Sequence, residues 1–247
     1  MELSLYSVFN FIVILILVFL LIRFVWKMWF ISELYPPEWK WVKKNGGISS
    51  SLSRMSLLYP DKVRFFSWWL QVERIKREQI PGDFAEVGVY KGQSARAIHM
   101  MDPTRRFHLF DTFRGFDNND LISETGDAAT YTTRHFSDTK LKRVMKRIRG
   151  NKNVVVHMGH FPETASEVAN TTFALVNLDA DLYFPTSEAL KFFYQHLSPG
   201  GVIFIHDYNH RWEGIRKALD EFSSSVPETP VFMPDPDSTA IMVKSKH

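Results

Sequence analysis

The sequence predicts an α/β protein: an open, mostly parallel sheet of seven strands, carried behind one N-terminal helix long enough to cross a membrane. Three observations predict it. From Asp61 onward short apolar runs alternate with helical segments, the pattern of a sheet covered on both faces. One of those runs, in Asp83–Gly92, passes through glycines into a helix start, the arrangement that lets a backbone cradle a ligand. At the other end of the chain, Phe11–Ile22 is twelve apolar residues without a break.

The apolar run extends back to Leu5 and on to Trp26, with Asn10 and Arg23 its main polar interruptions. A helix of that length spans roughly 30 Å, the thickness of the hydrocarbon core. Arg23 and Lys27 lie near its end, where long basic side chains snorkel to headgroups. Trp26, Trp29, Tyr35, Trp39 and Trp41 suit an interfacial aromatic belt. A cleaved signal peptide is the competing reading, but the run has no basic region before it and no small-x-small site after it. Only Glu2 offsets the amino terminus, whereas Arg23, Lys27, Lys40, Lys43, Lys44 and Arg54 follow the span, so the positive-inside rule places the large domain in the cytoplasm. The expected division is an anchor over 1–31, a juxtamembrane linker over 32–56 that includes Pro36–Pro37 and the Gly/Ser stretch Asn45–Ser53, and a domain from Leu57 to the end.

Within that domain Asp61–Gln79 reads as an amphipathic helix with Asp61 as N-cap. Phe84–Val89 is a strand, Gln93–Met101 a helix and Phe107–Thr112 a strand. Arg114–Thr133 is a long polar loop in the place of a substrate lid. Asp138–Arg149 is a basic helix, Asn153–Gly159 a strand, Glu163–Ala169 a short helix and Phe173–Asp179 a strand. Thr186–His196 is a helix, Gly201–Asp207 a strand and Glu213–Phe222 a helix. Pro230–Met233 and Thr239–Lys244 are two strands joined by Pro-Asp-Pro-Asp, and a turn that tight makes them antiparallel.

An open parallel sheet binds ligands at the carboxyl ends of its strands. Glu86, Asp111, Asp179 and Asp207 each end a predicted strand. The spacing of Glu86, Gly88 and Gly92 is Glu-x-Gly-x-x-x-Gly. It lacks the first glycine of a dinucleotide site, and its acid favours a cationic group such as the ammonium of S-adenosylmethionine. Asp111 follows about 20 residues later, where an acid can hydrogen-bond both ribose hydroxyls or cap the next turn. Asp179, Asp181, His206 and Asp207 gather three carboxylates and an imidazole around one crevice. Clustered carboxylates repel unless a proton or cation is shared, and a hard divalent ion such as Mg²⁺ is one solution. A metal-free acid network satisfied by helix N-termini and basic side chains is the other. His157, His160 and His210 also lie near strand ends and read as surface or supporting residues.

Glu86-Val-Gly-Val-Tyr-Lys-Gly92, Asp111-Thr-Phe-Arg-Gly-Phe116, Gly159-His-Phe-Pro-Glu-Thr164, Leu178-Asp-Ala-Asp-Leu-Tyr183 and Ser198-Pro-Gly-Gly-Val-Ile-Phe-Ile-His-Asp-Tyr208 resemble, in order and spacing, the macrocin O-methyltransferase (TylF-like) family. The resemblance covers about Ile80 to Phe222. It implies a Rossmann-like class I S-adenosylmethionine-dependent methyltransferase, in a family whose sugar-methylating members use Mg²⁺. It further implies that Glu86 and Gly88 line the methionine part of the cofactor, with Tyr90, Gly92 and Ser94 in the same cradle. Asp111 and Thr112 belong to the ribose, and Ser137 and Asp138 lie near the adenine. Asp179 ligates the metal beside the cofactor, and Asp181 is the general base. The family usually shows two adjacent acids where this chain has His206-Asp207. His206 therefore replaces a ligand, which favours Mn²⁺ or Zn²⁺, or serves as base, or metal use is lost. Asp207 is the safer ligand.

The expected activity is O-methylation of a hydroxyl on a sugar or other polar acceptor, possibly lipid-linked, with metal assistance. The rivals are a tethered module that binds cofactor without catalysis and a nicotinamide-dependent oxidoreductase. There is no cysteine, which excludes disulfide and thiolate chemistry. The net charge of +3 makes no case for nucleic acid. Partners are a small-molecule or glycan acceptor and the membrane, with homo-oligomerisation left open.

Overall fold

The computed structural model describes residues 5–31, 35–150 and 152–246. The chain divides into two compact units, Met1–Ser49 and Ser50–His247.

The first unit holds α1 (Leu5–Ile31) and α2 (Pro37–Lys44). Within α1, Leu5–Lys27 is long and apolar enough to cross a membrane, and none of that stretch is buried. An apolar helix left unburied along this stretch fits a bilayer or a signal sequence and not the core helix of a soluble domain. Proline at the first position of α2 loses no hydrogen bond there, and Lys43 and Lys44 complement its C-terminal dipole. Trp26 and Trp41 are exposed, as an interfacial belt requires, whereas Trp39 is only 1% exposed and does not belong to one. Glu2 and the side chain of Trp29 lie outside the described residues.

The second unit begins at Ser50 and not near Leu57, because Ser50–Leu58 forms helix α3 and buries Leu52 and Met55. It continues with α4 (Lys62–Arg77), capped as expected by Asp61, whose carboxylate accepts the Arg64 N–H at 2.9 Å. Then follow β1 (Asp83–Val87), α5 (Gln93–Met101), β2 (Phe107–Asp111), α6 (Asn118–Leu121), α7 (Leu141–Ile148), β3 (Val154–Met158), β4 (Phe173–Leu178), α8 (Tyr183–His196), β5 (Leu197–Ile205), α9 (Glu213–Ser223), β6 (Val231–Phe232) and β7 (Ala240–Val243). The seven strands form one sheet in the order β3-β2-β1-β4-β5-β7-β6. The first five are mutually parallel; β7 runs antiparallel to both β5 and β6. This is the expected mostly parallel sheet with an antiparallel C-terminal strand.

The chain winds outward from β1 to β3, then crosses back to β4, so the switch point lies between β1 and β4. Register aligns the strand ends: Val87 pairs with Phe110 and with Leu178, and Leu178 pairs with Ile205. The next residues of all these strands therefore emerge along one edge. Every residue of β4 is buried, as a central strand covered on both faces must be.

Three segments differ from expectation. The loop after β2 is not unstructured: it contains α6 and a 3-10 turn, Gly126–Thr130. Glu163–Val168 is a 3-10 turn as well. Helix α7 begins at Leu141, three residues late, because Asp138 is drawn to the Tyr90 hydroxyl and the Lys91 ammonium instead of capping it.

Candidate active site

Gly88 leaves β1 at φ +84°, a conformation L residues rarely adopt, and a Cβ there would overlap the Asp179 carbonyl. The switch-point strands can approach this closely only at a glycine. Glu86, two residues earlier, is fully buried. Its Oε1 accepts the Asn177 amide at 3.0 Å and the Ser94 hydroxyl acts on the same carboxyl, while Oε2 makes no direct hydrogen bond of good geometry among the described residues. Burial raises its pKa to about 8; the Ser94 hydroxyl and the Asn177 amide oppose that rise and the Asp179 charge adds to it. A buried carboxyl with one idle oxygen at a strand end is a place for a cationic group.

Asn177 opens a buried polar chain. Its Oδ1 accepts the Trp68 indole N–H at 3.0 Å and meets His206 Nε2 at 2.6 Å. His206 Nδ1 lies 3.0 Å from the Thr239 hydroxyl, which donates to Asp235 Oδ2 at 2.6 Å. Arg64 Nη2 reaches both Asp235 at 3.2 Å and Asp237 at 2.6 Å. His206 is 2% exposed, and burial, then Arg64, pushes its pKa well down. This corrects the expected role of His206 as metal ligand or base: both ring nitrogens are engaged inside the fold, and the residue does not line the cavity.

The cluster that does form is Asp179, Asp181 and Asp207, one oxygen of each within 4.8 Å of the others. Asp181 and Asp207 both sit at positive φ, 61° and 62°, as do Tyr90 after β1 and Phe113 after β2. Backbone in that region is held only where the surroundings over-determine it, and here it recurs at four strand-end loops of one edge. All three carboxyls are pushed above the ordinary range, by burial first and by their neighbours' charges second, with Arg64 opposing at Asp179 and Asp207. This donor set fits a hard divalent cation, which would replace the shared protons.

Asp111 is already committed to the backbone. Its Oδ2 accepts from Val89 and Tyr90 at 2.7 and 2.8 Å, and Oδ1 from Phe113 at 2.5 Å. Of its two sequence readings the turn cap is what these bonds show; the residue also lines the cavity.

Beside these groups lies a cavity of about 640 Å³, inside the range of small-molecule sites, about 300–1,000 Å³; Glu86, fully buried behind Gly88, is not part of its lining. Gly88, Tyr90, Ser94, Asp111, Thr112, Asp179, Asp181 and Asp207 line it. Gly92 does not; it packs against α7. Ser137 and Asp138 are exposed and outside the lining, the first donating to the Arg134 carbonyl at 2.6 Å and the second accepting from Tyr90 and Lys91. The Thr112 hydroxyl donates to the Gly115 carbonyl at 2.6 Å.

The structure adds residues the sequence reading missed. Phe116 stacks on Tyr131 at 5.3 Å, and Tyr131 meets Trp212 at 5.3 Å, forming an aromatic wall on the cavity. Burial, with Asp181 and Asp207 behind it, pushes the Tyr131 phenol up to about 12. His160 lines the cavity with its Nε2 2.8 Å from the buried Asp120, and His210 lines it too, whereas His157 is buried against His108 at 2.9 Å. Arg64 and Asp237 complete the rim.

A model of the macrocin O-methyltransferase (TylF) family matches residues 62–240. The chain belongs to that family. Among macrocin O-methyltransferase relatives, the 8-demethyl-8-(2,3-dimethoxy-α-L-rhamnosyl)-tetracenomycin-C 4'-O-methyltransferase of Streptomyces olivaceus is 30% identical over 150 residues, 56% of this chain and 57% of that protein. Mycinamicin III 3''-O-methyltransferase of Micromonospora griseorubida is 27% identical over 152 residues, 56% of this chain and 59% of that protein. The chain thus spans little more than half the length of these relatives. The structure of the O-methyltransferase NovP superposes with a TM-score of 0.64 at 24% identity, covering 74% of this chain and 80% of that one. CalS11, a calicheamicin methyltransferase, gives 0.56 at 20% identity, covering 85% and 93%. The TylF-family chain therefore has the class I methyltransferase fold.

Proposed function

We propose that this TylF-family chain is an S-adenosylmethionine-dependent O-methyltransferase. Its acceptor is a hydroxyl on a sugar or other polar molecule, free or lipid-linked, and α1 holds the enzyme at a membrane with the larger unit in the cytoplasm. The observation that carries the reading is the pairing, at one sheet edge, of the idle Glu86 oxygen with the Asp179–Asp181–Asp207 cluster. The names of the relatives, which describe transfer to sugars, support the acceptor class.

Glu86 would take the ammonium of the cofactor, Gly88 would let it lie against the strand ends, and Asp111 would present its remaining lone pairs to the ribose. When bound there, S-adenosylmethionine supplies an electrophilic methyl. Asp179 and Asp207 would hold a divalent cation, whose chemistry is to lower the pKa of a hydroxyl oxygen. Asp181, whose carboxyl is pushed up by burial and by the charges of Asp179 and Asp207, would accept the hydroxyl proton. The Phe116–Tyr131–Trp212 wall covers the apolar face of the acceptor and keeps water from the reacting oxygen.

Calorimetric titration of S-adenosylmethionine into the full chain in detergent, with and without Mg²⁺ or Mn²⁺, tests this. The expected affinity is about micromolar, weakened by Glu86→Ala and by Asp111→Ala. Absence of binding by folded protein overturns the reading.

A further inference from the structure

Outside the cavity, Lys140–Lys152 holds seven Lys and Arg and no Asp or Glu. Leu141, Val144, Met145 and Ile148 recur at helical spacing and make the apolar face of α7. Val144 and Ile148 are buried and close over Gly92 at the start of α5, where a Cβ would meet them at 2.8 and 3.1 Å. That packing fixes the rotation of α7. Lys142, Arg143, Lys146 and Arg147 are thereby turned outward, all exposed, with Lys140 and Arg149 at the ends.

Among the described residues no acidic side chain pairs with any of these six. A solvated helix surface usually interleaves its charges, as α4 does with Lys76–Glu73 and Arg74–Glu78. In α7, Lys142–Lys146 and Arg143–Arg147 are instead like-charge pairs one turn apart, which weaken a helix on its own. An anionic partner of this face would not sit in the cavity, whose lining carries Asp111, Asp179, Asp181 and Asp207. An anionic partner of α7 therefore lies on the outer surface, which Arg147 joins to the cavity wall.

We propose that the basic face of α7 is a docking surface for the anionic headgroups of a lipid bilayer. An exposed row of unpaired cations is attracted to such a surface residue by residue, and salt screens the attraction within a Debye length. The apolar helix α1 in the same chain favours a bilayer over a nucleic acid, because it would keep the larger unit within reach of the headgroups. Docking would bring the Arg147 side of the cavity to the lipid surface, where a lipid-linked hydroxyl would be met. The inference rests on the membrane reading of α1, and the test separates the two.

The chain has no cysteine, so Lys152→Cys carries a single fluorophore at the edge of the patch. The labelled full chain is mixed with vesicles of phosphatidylcholine alone or with added phosphatidylserine, each containing a headgroup-attached quencher. Flotation with neutral vesicles reports α1. Quenching that depends on phosphatidylserine reports α7. It is expected to be about threefold stronger with the anionic lipid at about 0.1 M salt and to vanish near about 1 M. Lys142→Glu with Lys146→Glu abolishes it, and Lys142→Gln with Lys146→Gln, which adds no new charge, reduces it. Equal quenching on both vesicle types, with flotation on both, overturns the docking surface and leaves the anchor. Anionic-lipid quenching without flotation on neutral vesicles supports the docking surface and overturns the anchor. Retention of a single-stranded RNA by the detergent-solubilised chain, with no lipid-dependent quenching, assigns the patch to nucleic acid and overturns the proposal.

Discussion

His206 Nε2 and Asn177 Oδ1 lie 2.6 Å apart, and the same oxygen receives the Trp68 indole N–H. An indole nitrogen only donates, so it fixes which end of the Asn177 amide is oxygen, and the imidazole must then carry its proton on Nε2. The opposite end of that amide donates to Glu86. One tryptophan on α4 thus sets, through Asn177, both the tautomer of His206 and the orientation of the Glu86 carboxyl.

His206→Ala should therefore act on stability and on cofactor binding, not on metal binding. Removing the imidazole takes one of its two donors from the buried Asn177 Oδ1 and empties a packed site against Trp68, at a cost of about 1–3 kcal/mol, read by urea unfolding. S-adenosylmethionine affinity falls only modestly, because Asn177 keeps Trp68 and its bond to Glu86 but loses its second anchor, while Mg²⁺ affinity of the folded variant stays as it was. A selective loss of Mg²⁺ affinity would return His206 to the ligands.

Gly88→Ala should be worse than a typical glycine replacement. Its φ of +84° alone costs an alanine about 1–3 kcal/mol, and the methyl also collides with the Asp179 carbonyl. The expected result is a lower melting temperature and loss of cofactor binding together. Wild-type affinity in this variant would mean that the cofactor does not use the switch point.

The sheet was legible because central strands here are mostly apolar runs, and each carboxylate that ends one is next to a strand whose register is set by those runs. Asp179, Asp181 and Asp207 could be grouped on that basis. His206 could not be placed, because alternation says only that it follows a strand, and its partners Trp68 and Thr239 come from α4 and from the start of β7. Helix α3 was hidden by its serines, although Leu52 and Met55 lie three apart. The aromatic wall was hidden differently: Phe116, Tyr131 and Trp212 are distant in sequence, and only the fold of a loop that reads as polar brings them together.

The raised carboxyls give a pH dependence of definite sign. Glu86 is held at about 8, and Asp179, Asp181 and Asp207 are also raised, so the folded state binds more protons than the unfolded chain from the ordinary carboxylate range up to about pH 8. The carboxyls then make stability without metal fall as pH rises through that window, by about 1.4 kcal/mol per pH unit for each proton involved; the buried His206, pushed the other way, opposes them below the ordinary imidazole range, so the fall stands clear between neutral pH and about 8. Mg²⁺ should flatten the fall by replacing protons at the aspartates, and its own affinity should rise with pH. Thermal melts across the window, with and without Mg²⁺, read both effects. A metal-free protein that gains stability on going from neutral pH to about 8 would contradict the arrangement.

Asp181 and Asp207 differ in what their loss should do, although both sit in the left-handed region and both face the same cavity. Asparagine tolerates that backbone, so Asp181→Asn and Asp207→Asn should both fold, and the comparison isolates the charge. Asp207→Asn removes an oxygen donor and should weaken Mg²⁺, with turnover recovering at higher metal. Asp181→Asn removes the proton acceptor and should lower kcat about 10²–10⁴-fold, with cofactor affinity nearly unchanged and no recovery at any metal concentration. The Asp181 variant should also lose the rise of kcat with pH that a titrating base imposes, whereas the Asp207 variant keeps it. Full turnover by Asp181→Asn would move the base elsewhere in the cavity, and His160, held 2.8 Å from Asp120, is the next group in reach of it.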